Sequence, residues 1–229
     1  MNDTHRAAPS REVRIPCGHV RLQGDLTLPA DALGLVLFVH GGGSGRHSAR
    51  NRLVAHKLQQ AGIATLLFDL LTAQEEQIDL QTREHRLDMA MLTRRIQDAT
   101  LWAQEQPDLQ HLPTGYFGAN TGSAAAIITA ARLGERIAGL VLRGPRPDLA
   151  GPVALAAIFA PTLFIVGGND QKLMELNAQA LERSTGDKRL VLVQGAGHHF
   201  EERGAMDQVG ELAAGWFAAS LPRRELLAR

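Results

Sequence analysis

The sequence predicts a three-layer α/β/α sandwich on a mostly parallel sheet of about eight strands, with no large cap domain. Three observations predict it. Short runs of Val, Ile, Leu and Phe recur along the chain and alternate with longer helical stretches, the pattern of a parallel sheet covered on both faces. Glycine-rich turns follow the apolar runs, where such a sheet ends and its ligands bind. A chain of 229 residues suits one α/β domain with a full core, and the spacing of the runs leaves no room for a second. The expected organisation is a flexible segment over 1–10, a single domain over 11–221 and a tail over 222–229.

Each element has its own signal. Glu12 to Pro16 and Val20 to Leu28 alternate around Gly18 and His19, which predicts an antiparallel hairpin at the sheet edge. Gly34 to Val39, Ile63 to Phe68, Thr114 to Phe117, Ile137 to Leu142, Thr162 to Val166 and Arg189 to Val193 are the continuous apolar strands. Ala49 to Ala61, Arg86 to Gln106, Thr121 to Leu133, Gln171 to Ser184 and Ala205 to Ser220 are the predicted helices. Between Arg143 and Ala160 only a linker and one short helix fit, so the pocket is expected to be open and its ligand modest in size. The acidic stretch Gln74 to Asp79 is expected to be a solvated loop.

Composition narrows the function. Lys plus Arg and Asp plus Glu are both 24, and no basic run carries interleaved aromatics, so neither nucleic acid nor an anionic membrane surface is the expected partner. A small molecule is. Cys17 is the single cysteine, which excludes an intramolecular disulfide, and no cysteine or histidine spacing suggests zinc; no metal or cofactor is expected. Met1 to Ser10 is polar without an apolar core, and no apolar run reaches spanning length, so a cytoplasmic protein is expected.

The chemistry is concentrated after the strands. Gly115-Tyr-Phe-Gly-Ala-Asn-Thr-Gly122 reads as strand, sharp turn and helix, the setting of a nucleophile elbow, with Gly118 and Gly122 as the small residues that a strained turn needs. Its central residue is Asn120. A carboxamide has no proton whose removal yields a useful nucleophile, unlike serine or cysteine. His40-Gly-Gly-Gly-Ser-Gly-Arg-His-Ser48 is a glycine-rich loop suited to an oxyanion, with Gly42, Gly43 and the backbone amide of Thr121 as donors. It lacks the Lys-Ser/Thr ending of a phosphate-binding P-loop. Asp170 ends Gly167-Gly-Asn-Asp170, placed to cap a helix and to orient a histidine. His198, in Gly195-Ala-Gly-His-His-Phe200, is the expected general base, with His199 a structural or pocket-wall neighbour.

These segments, in the order elbow, acid, histidine, resemble the α/β-hydrolase superfamily, and most of all its small, capless dienelactone hydrolase branch, over roughly Val13 to Phe217. The resemblance implies the α/β-hydrolase fold, a serine or cysteine nucleophile, and action on small esters and lactones. It places the acid at Asp170, the base at His198, the oxyanion donors near Gly42 and at Thr121, and the nucleophile position at Asn120. The expected function is hydrolysis of small carboxylic esters or lactones on a scaffold that Asn120 leaves inactive or strongly impaired. The alternatives are a non-catalytic small-molecule-binding pseudohydrolase, deamidation of Asn120 to a nucleophilic aspartate, and lyase chemistry through His198 alone.

Neighbouring residues offer no obvious replacement. Ser123 is expected to face the helix, Ser44 and Ser48 to be turn or cap residues, and Cys17 to be remote. Arg46, Arg143 and Arg146 follow strand ends and are placed to meet a carboxylate or phosphate; the competing expectation is solvated charges paired with Asp148 or with Glu201 and Glu202. For Asp69, a capping or loop role is expected.

Overall fold

Strands β3 (Leu35–Val39), β4 (Ala64–Phe68), β5 (Thr114–Ala119) and β7 (Thr162–Gly167) are buried at every residue, as central strands of a two-faced parallel sheet must be. The computed structural model describes residues 8–41 and 44–221. Gly42, Gly43, 1–7 and the expected tail at 222–229 lie outside the described residues. With β1 (Ser10–Cys17), β2 (Val20–Thr27), β6 (Ile137–Arg143) and β8 (Lys188–Val193), the sheet has eight strands in the order β1-β2-β4-β3-β5-β6-β7-β8. β1 pairs antiparallel with β2, and β2 antiparallel with β4, while all pairs from β4 to β8 are parallel.

The edge hairpin turns at Gly18, whose φ of +58° lies in the left-handed region. Cys17 ends β1, buried, and burial with the nearby Asp98 charge pushes its thiol up to about 12, so it is not a nucleophile at neutral pH.

Helices α1 (Ala49–Gln60) and α7 (Ala205–Ser220) cover one face over Phe38, Phe117 and Ile165, with Phe217 of α7 packed into the same cluster. Helices α3 (Met89–Glu105), α4 (Thr121–Leu133), α5 (Gly151–Ala156) and α6 (Gln171–Arg183) lie in chain order over the other. Between β6 and β7 lie only a 3₁₀ turn at Pro147–Leu149 and the short α5, and no cap domain is inserted there. Chain direction across the sheet reverses around β3, with β4 on one side and β5 on the other, so the crevice beyond β3 and β5 is the topological switch point at which open α/β sheets bind ligands.

One expectation is corrected. The acidic stretch is a helix, α2 (Ala73–Thr82), followed by a 3₁₀ turn at His85–Leu87, and α3 starts at Met89, not at Arg86. A reciprocal cap starts α2: the Thr72 hydroxyl accepts from the Glu75 amide at 3.3 Å, and the Glu75 carboxylate accepts from the Thr72 amide at 2.8 Å. Its acids are not merely solvated. Glu75 forms two hydrogen bonds with Arg95, at 2.6 and 2.8 Å, and buried Asp79 takes a 2.6 Å bond from Arg86.

Candidate active site

β5 ends in Ala119 and α4 starts at Thr121, leaving Asn120 alone to reverse the chain. Its backbone has φ 49° and ψ −123°, a combination outside even the left-handed helical region that asparagine tolerates, so the elbow strain is present. Close packing dictates it. A Cβ on Gly122 would lie 2.4 Å from both the Val39 and the His40 carbonyl oxygens, so only glycine lets α4 start this close to the end of β3.

Ser123, fully buried, fastens the elbow from behind. Its hydroxyl donates to the Asn120 carbonyl at 2.5 Å and accepts from the Arg146 amide at 2.9 Å. As expected it faces the packing side.

The carboxamide Oδ1 of Asn120 is buried and has no hydrogen-bond partner among the described residues. It sits against Gly144, where an added Cβ would be 3.3 Å from Asn120 Oδ1 and 3.7 Å from the His198 carbonyl; the elbow and the histidine loop therefore meet at one glycine.

Asp170 caps α6, accepting from the Leu173 amide at 3.1 Å, and its other oxygen lies 2.8 Å from His198 Nδ1. One carboxylate serves both purposes because its two oxygens point at different partners. With Nδ1 held by a carboxylate, the imidazole is fixed as the Nδ1–H tautomer and Nε2 is its basic nitrogen. His198 and Asp170 line an open cleft together with Arg146, Asp148 and Lys172. His199 stacks edge-on against His198 at 4.8 Å. Phe200 then takes a left-handed φ of 54° and buries its ring, which anchors the loop.

Beyond β3, Gly41 abuts the elbow: a Cβ there would be 3.1 Å from the Asn120 Cβ and from the Thr121 hydroxyl. Thr121 thus stands at the start of α4 beside the glycine loop, while Gly42 and Gly43 lie outside the described residues. His40, half-buried just past the end of β3, has Nδ1 3.1 Å from the Gly41 carbonyl and Nε2 3.4 Å from the Leu70 amide. Those two contacts require a donor at Nδ1 and an acceptor at Nε2, hence a neutral ring, and burial correspondingly pushes its pKa down. Apart from the position of His40 at a strand end, no sequence pattern marks this role.

The three arginines are placed very differently. Arg46 is engaged by two carboxylates, at 2.7 Å from Asp69 and 3.5 Å from Asp25. Arg146 is half-exposed and forms a two-bond pair with Asp148, at 2.8 and 2.7 Å, as the competing expectation held. Arg143 fits neither a solvated charge nor a carboxylate pair: it is only 4% exposed, and its Nε and Nη1 have no acceptor among the described residues. Ser44 lines a second cleft with His40 and Asp69, and Ser48 precedes α1 as its N-cap residue without a side-chain capping bond.

A solved dienelactone hydrolase from Anabaena variabilis superposes on this chain with a TM-score of 0.92, is 50% identical in sequence, and covers 94% of this chain and 100% of its own. The chain belongs to the dienelactone hydrolase family. Among more distant folds, a dienelactone hydrolase-like promiscuous phosphotriesterase from metagenomic libraries matches at a TM-score of 0.74 and 19% identity, covering 94% of this chain and 100% of that one. Mycobacterium tuberculosis has a curated relative, provisionally named a phosphoribosyl transferase, that is 48% identical over 206 residues, or 90% of this chain. This dienelactone hydrolase-family chain spans only 45% of that relative's length. No family model matches. Among the described residues, no helix is long and apolar enough to cross a membrane.

Proposed function

We propose that this chain is a hydrolase scaffold for small carboxylic esters or lactones, using a nucleophile, His198 and Asp170 with an oxyanion hole, in which Asn120 has replaced the nucleophile. The observation that carries the reading is the 2.8 Å Asp170–His198 contact, kept beside an elbow that still holds its strained backbone. A pocket that only binds has no use for a carboxylate-oriented imidazole. In the proposed reaction His198 Nε2 takes the proton of the attacking hydroxyl. The amide of Thr121 and the loop at Gly42 and Gly43 then stabilise the tetrahedral oxyanion. Asn120 has no such proton to give, so the first step fails.

Losing the nucleophile of a triad costs on the order of 10⁶ in turnover, while binding and the oxyanion hole leave ~10³ to 10⁴ over water. The decisive experiment is hydrolysis of short-chain aryl esters by the unaltered chain, by Asn120→Ser and by Asn120→Ser/His198→Ala, with folding checked by circular dichroism. Activity in the single serine variant alone is expected. A folded serine variant with no gain sinks the proposal.

Asn120 itself favours a second reading, a pseudohydrolase that binds the same small molecules without turning them over. The transferase name of the mycobacterial relatives we assign to the part of those proteins outside the match, since the matched part corresponds to this hydrolase-family fold.

A further inference from the structure

The elbow strand has a different neighbour on each flank. In the sheet order β3-β5-β6, Gly41 follows β3 on one side of Asn120, and Gly144 follows β6 on the other. Asp170 and His198 follow β7 and β8, farther out on the Gly144 side, and line the charged cleft with Arg146, Asp148 and Lys172. The cleft lined by Ser44, His40 and Asp69 lies on the opposite side, between the glycine loop and α2. Gly41 joins it to the elbow: it lines the cleft, and a Cβ there would be 3.1 Å from the Asn120 Cβ. The walls are apolar, made by Leu70 and Leu71 after β4, Leu80 of α2 and Leu92 of α3.

The charges in this second cleft are already engaged. Arg86, its one cation among the described residues, donates to buried Asp79 at 2.6 Å, and Asp69 is held by Arg46 at 2.7 Å. His40 is neutral, with both ring nitrogens in hydrogen bonds. Exposed Glu76 adds a negative charge at the edge, which disfavours an anion. Leu80 is 60% exposed although it forms a wall, so apolar area remains there for a ligand to cover, a favourable burial for hydrocarbon.

The direction of the chemistry orients the ligand. The imidazole that takes the nucleophile's proton returns it to the leaving oxygen, so the leaving group must lie at His198, on the β7–β8 side. The acyl group then lies on the β3–β4 side. We propose that the cleft between the glycine loop and α2 takes the acyl chain of the ligand, and that this chain is an uncharged hydrocarbon, so the substrate is a neutral aliphatic ester or lactone without a carboxylate on its acyl part. Leu71 and Leu80 are its specificity-determining residues. The acyl assignment rests on the hydrolase reading. Binding of an uncharged chain in the cleft does not, because it needs no turnover.

The unaltered chain is titrated by calorimetry with methyl propyl, methyl pentyl and methyl heptyl ketone, uncharged analogues of the acyl part that cannot be hydrolysed. Levulinate, a methyl ketone that ends in a carboxylate, is the charged comparison. Affinity is expected to rise about threefold to fourfold per methylene, the factor for ~0.8 kcal/mol per buried CH₂. Levulinate is expected to bind at least about tenfold more weakly than methyl propyl ketone, because its carboxylate would enter an apolar cleft unpaired. Leu80→Asp and Leu71→Trp, with folding checked by circular dichroism, each weaken methyl heptyl ketone binding at least about tenfold. Leu87→Asp, at an exposed position that does not line the cleft, retains it. No dependence on chain length, equal affinity for levulinate, undiminished binding in Leu80→Asp and Leu71→Trp, or an equal loss in Leu87→Asp overturns the proposal. In Asn120→Ser, kcat/KM is expected to rise from aryl acetate to aryl hexanoate, and Leu80→Asp erases that rise. A rise across alkyl acetates of increasing length in place of the aryl series overturns the acyl assignment. Chain-length-dependent ketone binding with no hydrolysis by Asn120→Ser strikes the hydrolase reading and leaves the hydrocarbon site standing; hydrolysis by Asn120→Ser without ketone binding does the reverse.

Discussion

Arg95 and Arg143 are buried to nearly the same degree, with 6% and 4% exposure, yet the fold treats their charges in opposite ways. Arg95 is answered on several sides: both oxygens of Glu75 accept from it, and the Leu70 carbonyl accepts at 2.7 Å. It ties the rim of the sheet, through the cap of α2, to α3. Arg143 lies beside the elbow over an aromatic ring, with two nitrogens lacking acceptors among the described residues. The contrast separates a cation that holds structure through its partners from one that the described residues leave without an acceptor at Nε and Nη1. Neutralised burial is compatible with stability; unneutralised burial is strain that a binding site can use.

The contrast can be broken most directly at Glu75. Glu75→Ala strands the buried Arg95 charge and removes the cap of α2, and is expected to lower unfolding free energy by about 3–5 kcal/mol in urea denaturation. A loss below about 1 kcal/mol would mean that Arg95 is solvated in solution and that the two arginines are alike.

Acid provides the second lever. The hydrogen bonds from Arg95 hold the Glu75 carboxyl down at about 2, against an ordinary value of 4.5. A depressed folded-state pKa gives stability that is fully present above the unfolded value and is lost as pH falls, here from about 4.5 down through about 2. Urea midpoints measured across that window should fall steeply in the unaltered chain, and less steeply in Glu75→Gln.

Smaller effects sharpen the other half. Phe200→Leu removes the ring facing Arg143 and loosens the histidine loop; a loss of about 1–2 kcal/mol is expected, read by thermal unfolding. Arg143→Met should cost less than about 1 kcal/mol or should stabilise the protein, because an apolar side chain of similar reach replaces an unpaired charge. A loss of about 3 kcal/mol or more in Arg143→Met would show that Arg143 is structural in the same sense as Arg95.

Strands and chemistry were legible in different degrees. The edge hairpin, the buried strands and the elbow could be read directly, because an apolar run bounded by glycines has few alternative folds. Asp170 and His198 could be read from their order after strand ends, and the structure brings them to 2.8 Å. Helix α2 reads as a loop because its residues are polar and it shows no apolar stripe, although Thr72-Ala-Gln-Glu75 carries the capping-box spacing that marks its start. The pairing of Glu75 with Arg95, twenty residues away in the chain, left no local trace.

The sequence by itself determined the sheet, its two helical layers, the lack of an inserted cap and the elbow with an amide at its centre, since each depends on local periodicity and on backbone conformations that few residues tolerate. Only the tertiary structure decided which arginines are neutralised, that Ser123 fastens the elbow from behind, and that Phe200 faces a buried guanidinium without a counter-charge among the described residues. Local pattern fixes which face of an element is buried. Whether a buried charge meets an opposite one depends on distant segments that come together only in the folded chain.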